Sequence, residues 1–514
     1  MFDSLKNLIY LLIIFSISCA QQTALTGGNK DTLAPKIISN KSIPSSGEIK
    51  FSGKEIKLVF DENITYQKSS TSFLSNPPIG EHVLKTEKNI LKIIPEKELL
   101  KNTTYSLIFT NSIADLNEKN KIADLRFSFS TGSILDTIIA KGLVKNSFDE
   151  TVSANYMVVL KSIREDSTNY ISLTNEAGEF FFDHLKPGEY TLLAWEDLNE
   201  NSQFDTLDEP YGFLLDPIKT QDSCCKEIIK TFTPIKPLEI EKMELNDYGN
   251  ISIVFNQIVD TLNIKSLDSS FIKTVVLKTN EASFWPSDSN TNYQLIIEAP
   301  FYKFKDTVVV RKSNSKNAER KLVYQKKSMK ELFSSNSLEL VFNQKIVAVD
   351  TSLLILQTDS NSLKYNYEIN QNILSIKPEK LNGSFNLSVY PNGVSGLYNK
   401  KTDTSKVYFN ILSESNLGAL TLNINNSECE NYIIQILFQN NVIHEMYSSK
   451  KEHLQSLTKV YPGEYQIRII NDLDQNKKWS CGDIKKQTQP EEVIYLDKKI
   501  TVKKNWEEYV QWNI

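Results

Sequence analysis

Histidine is scarce, with 4 in 514 residues, and none of His82, His184, His444 and His453 stands in an HExxH or comparable metal-ligating spacing. They read as solvated or turn histidines. Glycine is also sparse, at 17. No phosphate-cradling glycine loop and no Gly-x-Ser-x-Gly nucleophile elbow occurs, and Gly393-Val394-Ser395-Gly396 reads as a loop between strands with no neighbouring base. Basic residues show no excess: 58 Lys and Arg against 63 Asp and Glu leave a formal charge of −5. The two signs are interspersed, so no face forms that can neutralise a phosphate backbone, which excludes nucleic acid as a partner. Acidic pairs such as Glu491-Glu492 and Glu507-Glu508 read as solvated faces. These absences leave no catalytic constellation and point away from an enzyme.

What the chain does have is β-forming bulk, with 25 Phe and 22 Tyr among its residues, enough aromatic and β-branched side chain for several sheet cores. Its length exceeds what one core fills and suggests roughly three to five domains.

Residues 1 to 18 carry one early lysine, Lys6, then an apolar run from Leu8 to Ile17. That run is too short to span a bilayer and suits a signal h-region. It ends in Ser16-Ile17-Ser18-Cys19, which resembles the lipobox of bacterial lipoproteins. The resemblance implies that Cys19 is diacylated and becomes the mature N-terminus. Two acyl chains suffice for stable anchoring. The polar stretch after it, from Ala20 through Gly27-Gly28, reads as a tether. No Asp follows Cys19, which by lipoprotein sorting rules implies delivery to the outer membrane. The face of that membrane stays open.

Four further cysteines remain. Cys224 and Cys225 are adjacent and ill placed to bond each other, whereas Cys429 and Cys481 fall in one expected domain, so a bridge between them stays open in an oxidising compartment.

Two units repeat along the chain, and repeats dictate architecture before any local assignment. The first begins Ile56-Lys57-Leu58-Val59-Phe60-Asp61-Glu62. It returns as Ile251-Ser252-Ile253-Val254-Phe255-Asn256-Gln257 and as Leu338-Glu339-Leu340-Val341-Phe342-Asn343-Gln344. Period-two alternation makes each a half-buried strand. Asn89-Ile90-Leu91-Lys92-Ile93-Ile94-Pro95-Glu96-Lys97 is matched by Asn372-Ile373-Leu374-Ser375-Ile376-Lys377-Pro378-Glu379-Lys380. In the middle copy Tyr293 to Ile297 takes the place of the strand that follows. The first copy, about residues 35 to 132, resembles the SbsA-like bacterial Ig-like domain. Leu58-Val59-Phe60-Asp61, Asn102-Thr103-Thr104-Tyr105, Ile113-Ala114-Asp115 and Phe127-Ser128-Phe129-Ser130-Thr131-Gly132 carry the likeness. It implies a seven-stranded sandwich used as a spacer or binding module.

The second unit runs from Lys186-Pro187-Gly188-Glu189-Tyr190 through Trp195 into an acidic stretch at Asp197. It recurs from Tyr461-Pro462-Gly463-Glu464-Tyr465 through Ile470 into Asp472. The Pro-Gly pair marks a turn. These units resemble the transthyretin-like or carboxypeptidase-regulatory-like sandwich, and the B repeats of Gram-positive adhesins.

In the first acidic loop Asp197, Asn199, Asn201, Asp205 and Asp208 fall at positions one, three, five, nine and twelve, with a backbone carbonyl from Gln203 at seven. Such spacing can surround Ca²⁺ with six or seven oxygens. Ser202 replaces the usual glycine at six, and Glu209 is an alternative to Asp208. The B-repeat resemblance implies the same ion. The second loop offers Asp472, Asp474, Asn476 and Asp483, with Ser480 at nine and two lysines, Lys477 and Lys478, adding positive charge. Its ion, like that of the first, would be structural. The competing reading of both loops is a solvated Asx-rich turn. Trp479, inside the second loop, is the residue best placed for stacking on a glycan, against the alternative of a core plug.

The sequence therefore predicts an all-β chain of tandem β-sandwich domains, Ig-like and transthyretin-like, after a lipoprotein signal peptide (1–18) and polar tether (19–34). The domains fall at 35–132 (Ig-like), 136–230 (transthyretin-like), 235–328 and 329–412 (divergent Ig-like) and 416–514 (transthyretin-like). The expected role is a structural or protein-binding rod in the cell envelope, held to the membrane by its lipid, its partner an envelope protein. The alternative is a glycan-binding accessory lipoprotein whose partner is a polysaccharide.

Overall fold

Alternating apolar residues set the architecture: wherever period-two patterning occurs, one face of a strand is withdrawn from water and a second layer covers it. The computed structural model describes residues 31–514 apart from 70, 165–168, 222–223, 247–248, 268–271, 287–291, 312–321, 326–330, 333–336, 359–360, 380–382, 398–399 and 427. The signal peptide, Cys19 and most of the tether lie outside the described residues. The chain is a tandem series of all-β sandwich domains, with helix confined among the described residues to short 3-10 turns such as Ser39–Lys41. It divides into two compact units, one of residues 1–146 and 150–232, the other of 147–149 and 233–514.

In the first unit, strand Ile56–Val59 pairs antiparallel with Ile90–Pro95, which pairs with His82–Glu87. Facing them is a sheet of Phe73–Asn76, Thr104–Thr110 and Asp124–Ser130. Ile56, Leu58, Phe60, Leu91, Ile93, Tyr105, Phe127 and Phe129 close the core between them. Burying a side chain such as Leu58, which has no exposed surface, contributes roughly 2 kcal/mol. The second core lies between Glu179–Leu185, Ile138–Asn146 and Cys224–Thr231 on one side and a five-stranded sheet centred on Met157–Ser162 and Gly188–Trp195 on the other. Within this unit the two sandwiches are tied by Asn76 to Ile171, by Arg126 to Asp183 at 3.3 Å and by Thr104 to Asp136 at 2.8 Å.

Among the described residues, the second unit holds three large cores and a small cluster of Ile433, Ile470 and Val493. In one, Leu338–Phe342 pairs with Ile373–Pro378 in the register Leu338 to Ile376, the counterpart of Ile56 to Ile93 in the first unit. In another, built around Ile253, Phe255, Leu262 and Ile264, the topology differs. The 16-residue strand Ile251–Ser266 bends through bulges and pairs with Ile240–Leu245, Ile272–Phe284 and Asn292–Ala299, so the described strands form one continuous sheet. Long strands that twist and bulge can wrap a core without a second sheet.

The repeated sequence has a repeated bonding pattern. After each strand an Asp or Asn exchanges two hydrogen bonds with the incoming chain. Asp61 accepts from the Lys36 amide at 2.8 Å and donates to its carbonyl, and Asn256 does the same with Glu239, Asn343 with Val323. The carbonyl of the preceding Phe accepts from a second Asn: Asn89 to Phe60 at 2.8 Å, Asn372 to Phe342 at 2.7 Å. In the bent sheet Asn280 reaches Phe255 at 3.4 Å.

The C-terminal core repeats the topology of the second sandwich strand for strand. Gly418–Asn425 pairs in parallel with Glu507–Asn513 and antiparallel with Glu452–Val460, opposite a sheet of Asn441–Ser448, Tyr432–Phe438, Gly463–Asn471, Val493–Tyr495 and Ile500–Val502. In both copies the tyrosine of the Pro-Gly-Glu-Tyr turn donates its hydroxyl to the carbonyl four residues back, Tyr190 to Lys186 at 3.0 Å and Tyr465 to Tyr461 at 2.6 Å.

Candidate functional site

Each acidic loop leaves the end of a central strand, Gly188–Trp195 or Gly463–Asn471, and returns into a short strand, Tyr211–Phe213 or Val493–Tyr495. A backbone bond clamps each mouth, Glu196 N–H to the Pro210 carbonyl and Asn471 N–H to the Glu492 carbonyl, both 2.9 Å. These clamps make Glu209 and Glu491 structural equivalents.

Inside, the two loops are wound alike. Asp197 accepts the amides of Asn201 (3.1 Å) and Ser202 (2.9 Å), and Asp472 accepts those of Asn476 and Lys477, both 3.1 Å. Asn201 accepts from Gln203 at 2.6 Å, and Asn476 from Lys478 at 2.7 Å. The fourth and sixth positions are left-handed in both: Glu200 at φ 58° and Ser202 at 57°, Gln475 at 58° and Lys477 at 64°. Ser202 and Lys477 thus adopt the conformation for which glycine is usual. Each loop is then closed by a buried glutamate. Glu209 accepts the Asp205 amide at 2.9 Å, and Glu491 accepts the Ser480 amide at 2.9 Å and that of Leu473 at 2.7 Å.

The sequence spacing named Asp208, with Glu209 as its alternative, and Asp483 at these closing positions, where the structure has Glu209 and Glu491. Asp483 caps its own turn, accepting the amides of Lys485 and Lys486 and pairing with the Lys486 ammonium at 3.0 Å. Ten residues, 481–490, stand between Ser480 and Glu491 where the first loop has three, so fixed spacing could not reach the right acid. Asp208 is exposed beside Glu209, which is 1 % exposed. Asp205 stays in the first loop, its carboxylate taking the amide hydrogens of Asn199 (2.8 Å) and Asn201 (3.2 Å).

In the second loop one oxygen each of Asp472, Asp474 and Glu491 lie within 4.8 Å of one another, with Asp472 and Glu491 buried. Burial pushes the Glu491 carboxyl above its ordinary range and nearby Asp474 adds to this, against the pull of its backbone hydrogen bonds. Burial does the same to Glu209, with Asp197 and Asp205 adding and the backbone amides of Asp205 and Leu198 opposing. Glu209 Oε1 has no hydrogen-bond partner.

Trp479 is half-buried: its ring meets Phe148 edge-on at 5.0 Å and its indole N–H donates to the Glu491 carbonyl at 3.0 Å. Its counterpart Phe204 packs on Trp195 and Tyr211. Phe204 thus packs on its own sandwich, whereas Trp479 joins a small cluster of Ile433, Ile470 and Val493 that also takes in Phe148. Cys429 and Cys481 are free, half-buried thiols, each pushed up by burial, so the bridge left open in the sequence is not formed. The side chains of Cys224 and Cys225 lie outside the described residues.

Elsewhere in the first unit, a polar cleft of about 1210 Å³ is lined by Asn111, Arg126, Asn155, Asn175 and Phe181 among others.

Residues 31–131 match the bacterial Ig-like domain family. No curated protein matches the sequence. Among solved structures, the Bacillus anthracis TIE protein is similar at 10% identity over 95% of this chain and 75% of that one, with a TM-score of 0.15. BcpA, the major pilin subunit of Bacillus cereus, is 10% identical over 74% of this chain and 99% of its own, with a TM-score of 0.14. SGBP-B of a Bacteroides ovatus mixed-linkage glucan utilization locus, solved with a mixed-linkage heptasaccharide, is 8% identical over 72% and 94%, with a TM-score of 0.18.

Proposed function

We propose that this protein is a non-catalytic, lipid-anchored protein of the cell envelope, held at the outer membrane through Cys19, whose sandwich modules serve as spacer and as docking surface for another envelope protein. The modules flanking the acidic loops are read as transthyretin-like. The observation that carries the reading is the locked junction between the first two sandwiches, where a buried side chain of one completes the strand edge of the other. Load-bearing or presenting modules need fixed junctions, and a catalyst needs convergent reactive groups. Three histidines are taken up locally: His82 at the Gly80 carbonyl, His184 at the Asp136 carbonyl and His453 at the Ser448 hydroxyl.

Metabolic labelling with an alkynyl fatty acid tests the anchor. The wild-type chain incorporates label, and a Cys19→Ser variant that still incorporates it overturns the assignment. Affinity capture of the lipidated chain after cross-linking on intact cells tests the role, with recovery of one envelope protein as the expected result. The polar cleft in the first unit favours the second reading, binding of an envelope polysaccharide. Polysaccharide pull-down that is lost in an Asn155→Ala/Asn175→Ala variant selects that reading over the first.

A further inference from the structure

The two acidic loops share a winding that was built twice, and each copy carries a different mark of a cation site. In the second, three carboxylate oxygens are gathered within 4.8 Å, two of them on buried residues. In the first, a glutamate 1 % exposed keeps an unpartnered Oε1. An unpaired buried carboxylate oxygen is among the costliest groups a fold can hold. From these two observations the geometry points to a pair of equivalent calcium sites closed by Glu209, the alternative to Asp208, and by Glu491, which the twelve-position spacing does not select.

The donor set is all oxygen in both loops. Asp197, Asn199, Asn201, the Gln203 carbonyl, Asp205 and Glu209 supply the first. Asp472, Asp474, Asn476, the Lys478 carbonyl, Ser480 and Glu491 supply the second. Three carboxylates in each exceed the charge of one divalent ion. Six to eight hard oxygens on a flexible loop suit Ca²⁺, whereas Mg²⁺ demands near-ideal octahedral geometry. The lysines of the second loop do not oppose it. The Lys478 ammonium pairs with Asp260 and sits 3.8 Å from the Phe301 ring centre, and that of Lys477 lies over the Tyr447 ring at 5.2 Å. Both charges are turned onto other partners. The inference stands apart from the function proposed above, since an ion that stiffens these loops serves a spacer and a glycan binder equally.

The test is equilibrium dialysis of the purified full chain against ⁴⁵Ca²⁺, with circular dichroism to certify folding. Two ions bind per wild-type chain, with Kd of about 10⁻³ M or tighter, the range of extracellular modules. Glu209→Gln and Glu491→Gln, near-isosteric changes, each remove one ion, and the double variant removes both. Asp208→Asn and Asp483→Asn retain both. A folded wild-type chain that binds no calcium overturns the inference. So does retention of two ions in the glutamine variants, loss of an ion in Asp208→Asn or Asp483→Asn, or Mg²⁺ binding as tightly as Ca²⁺.

Discussion

The side-chain amide of Asn76 is bonded to both backbone groups of Ile171: its Oδ1 accepts the Ile171 N–H at 2.6 Å, and its Nδ2 donates to the Ile171 carbonyl at 2.8 Å. Ile171 sits on Asn169–Leu173, the edge strand of the second sandwich's larger sheet. An edge strand presents unpaired peptide groups, and here a side chain with the donor and acceptor of a peptide completes the ladder. Asn76 is itself 1 % exposed, so the bonds form away from competing water.

Removing that amide leaves two backbone groups without partners. Asn76→Ala is expected to destabilise the first unit by about 1–3 kcal/mol. Asn76→Asp keeps an acceptor for the Ile171 N–H but offers no donor, and faces the carbonyl with a charge, so it is no milder. Urea denaturation measures both. A midpoint shift equivalent to less than about 0.5 kcal/mol in Asn76→Ala, the size of an ordinary surface change, contradicts the role.

Asn89 and Asn372 occupy the same place in two sandwiches, each following a left-handed residue, Lys88 and Gln371 at φ 56°, and each reaching a phenylalanine carbonyl. Asn89→Ala and Asn372→Ala are expected to cost about 1 kcal/mol each. Because the two share no partners, the double variant shows the sum to within about 0.5 kcal/mol. Unequal effects, with one variant silent, break the equivalence of the two copies.

Asp115 closes the segment Ile113-Ala114-Asp115, and its carboxylate accepts the amides of Glu118 at 2.6 Å, Lys119 at 3.0 Å and Asn120 at 2.7 Å. Burial pushes its carboxyl up, but these amide bonds outweigh it and hold the group below the ordinary aspartate value of 3.8. A depressed carboxyl contributes stability that is present above the unfolded-state pKa and is lost as pH falls through the folded-state one. Asp115→Asn is therefore less stable than wild type at pH 7, and the gap narrows as pH drops below about 4. Thermal melts at pH 7 and pH 3 check this, and a gap that widens in acid refutes it.

Much of this was legible in the sequence because repeats and period two are local. The strand Ile56–Val59 and its copy Leu338–Phe342 were visible as alternation, and the Pro-Gly-Glu-Tyr turns fixed where the acidic loops begin. What escaped depends on chain return. Glu491 is separated from Ser480 by residues 481–490, so only the folded chain, clamped from Asn471 to Glu492, brings it to Asp472. The bend of Ile251–Ser266 escaped for a similar reason. Its first half alternates like its two counterparts, and nothing within it announces that the strand continues past Val259 into a second set of pairings.

Calcium sites closed by these glutamates, as proposed, predict how calcium and pH act together. Burial raises both carboxyls, Glu209 and Glu491, above the glutamate value of 4.5. A carboxyl raised on folding favours the folded state while protonated, so that contribution is present below the unfolded-state pKa and is lost as pH rises through the folded-state one. In chelator, the loops thus destabilise the chain progressively as pH climbs above about 4.5. Calcium takes only the ionised form, so its binding displaces the proton and its affinity rises over the same interval. The rise in Tm produced by calcium is expected to be small near pH 4.5 and large at pH 7, where an ion at a hundredfold excess over its Kd adds about 2.7 kcal/mol per site. Glu209→Gln/Glu491→Gln, which has no charge to lose and offers at most one neutral amide oxygen in place of a bidentate carboxylate, flattens the chelator slope and weakens the calcium response. Differential scanning fluorimetry across pH with calcium or chelator measures the two together, and a calcium response that is independent of pH, or survives undiminished in the double variant, excludes these glutamates as the groups that couple them.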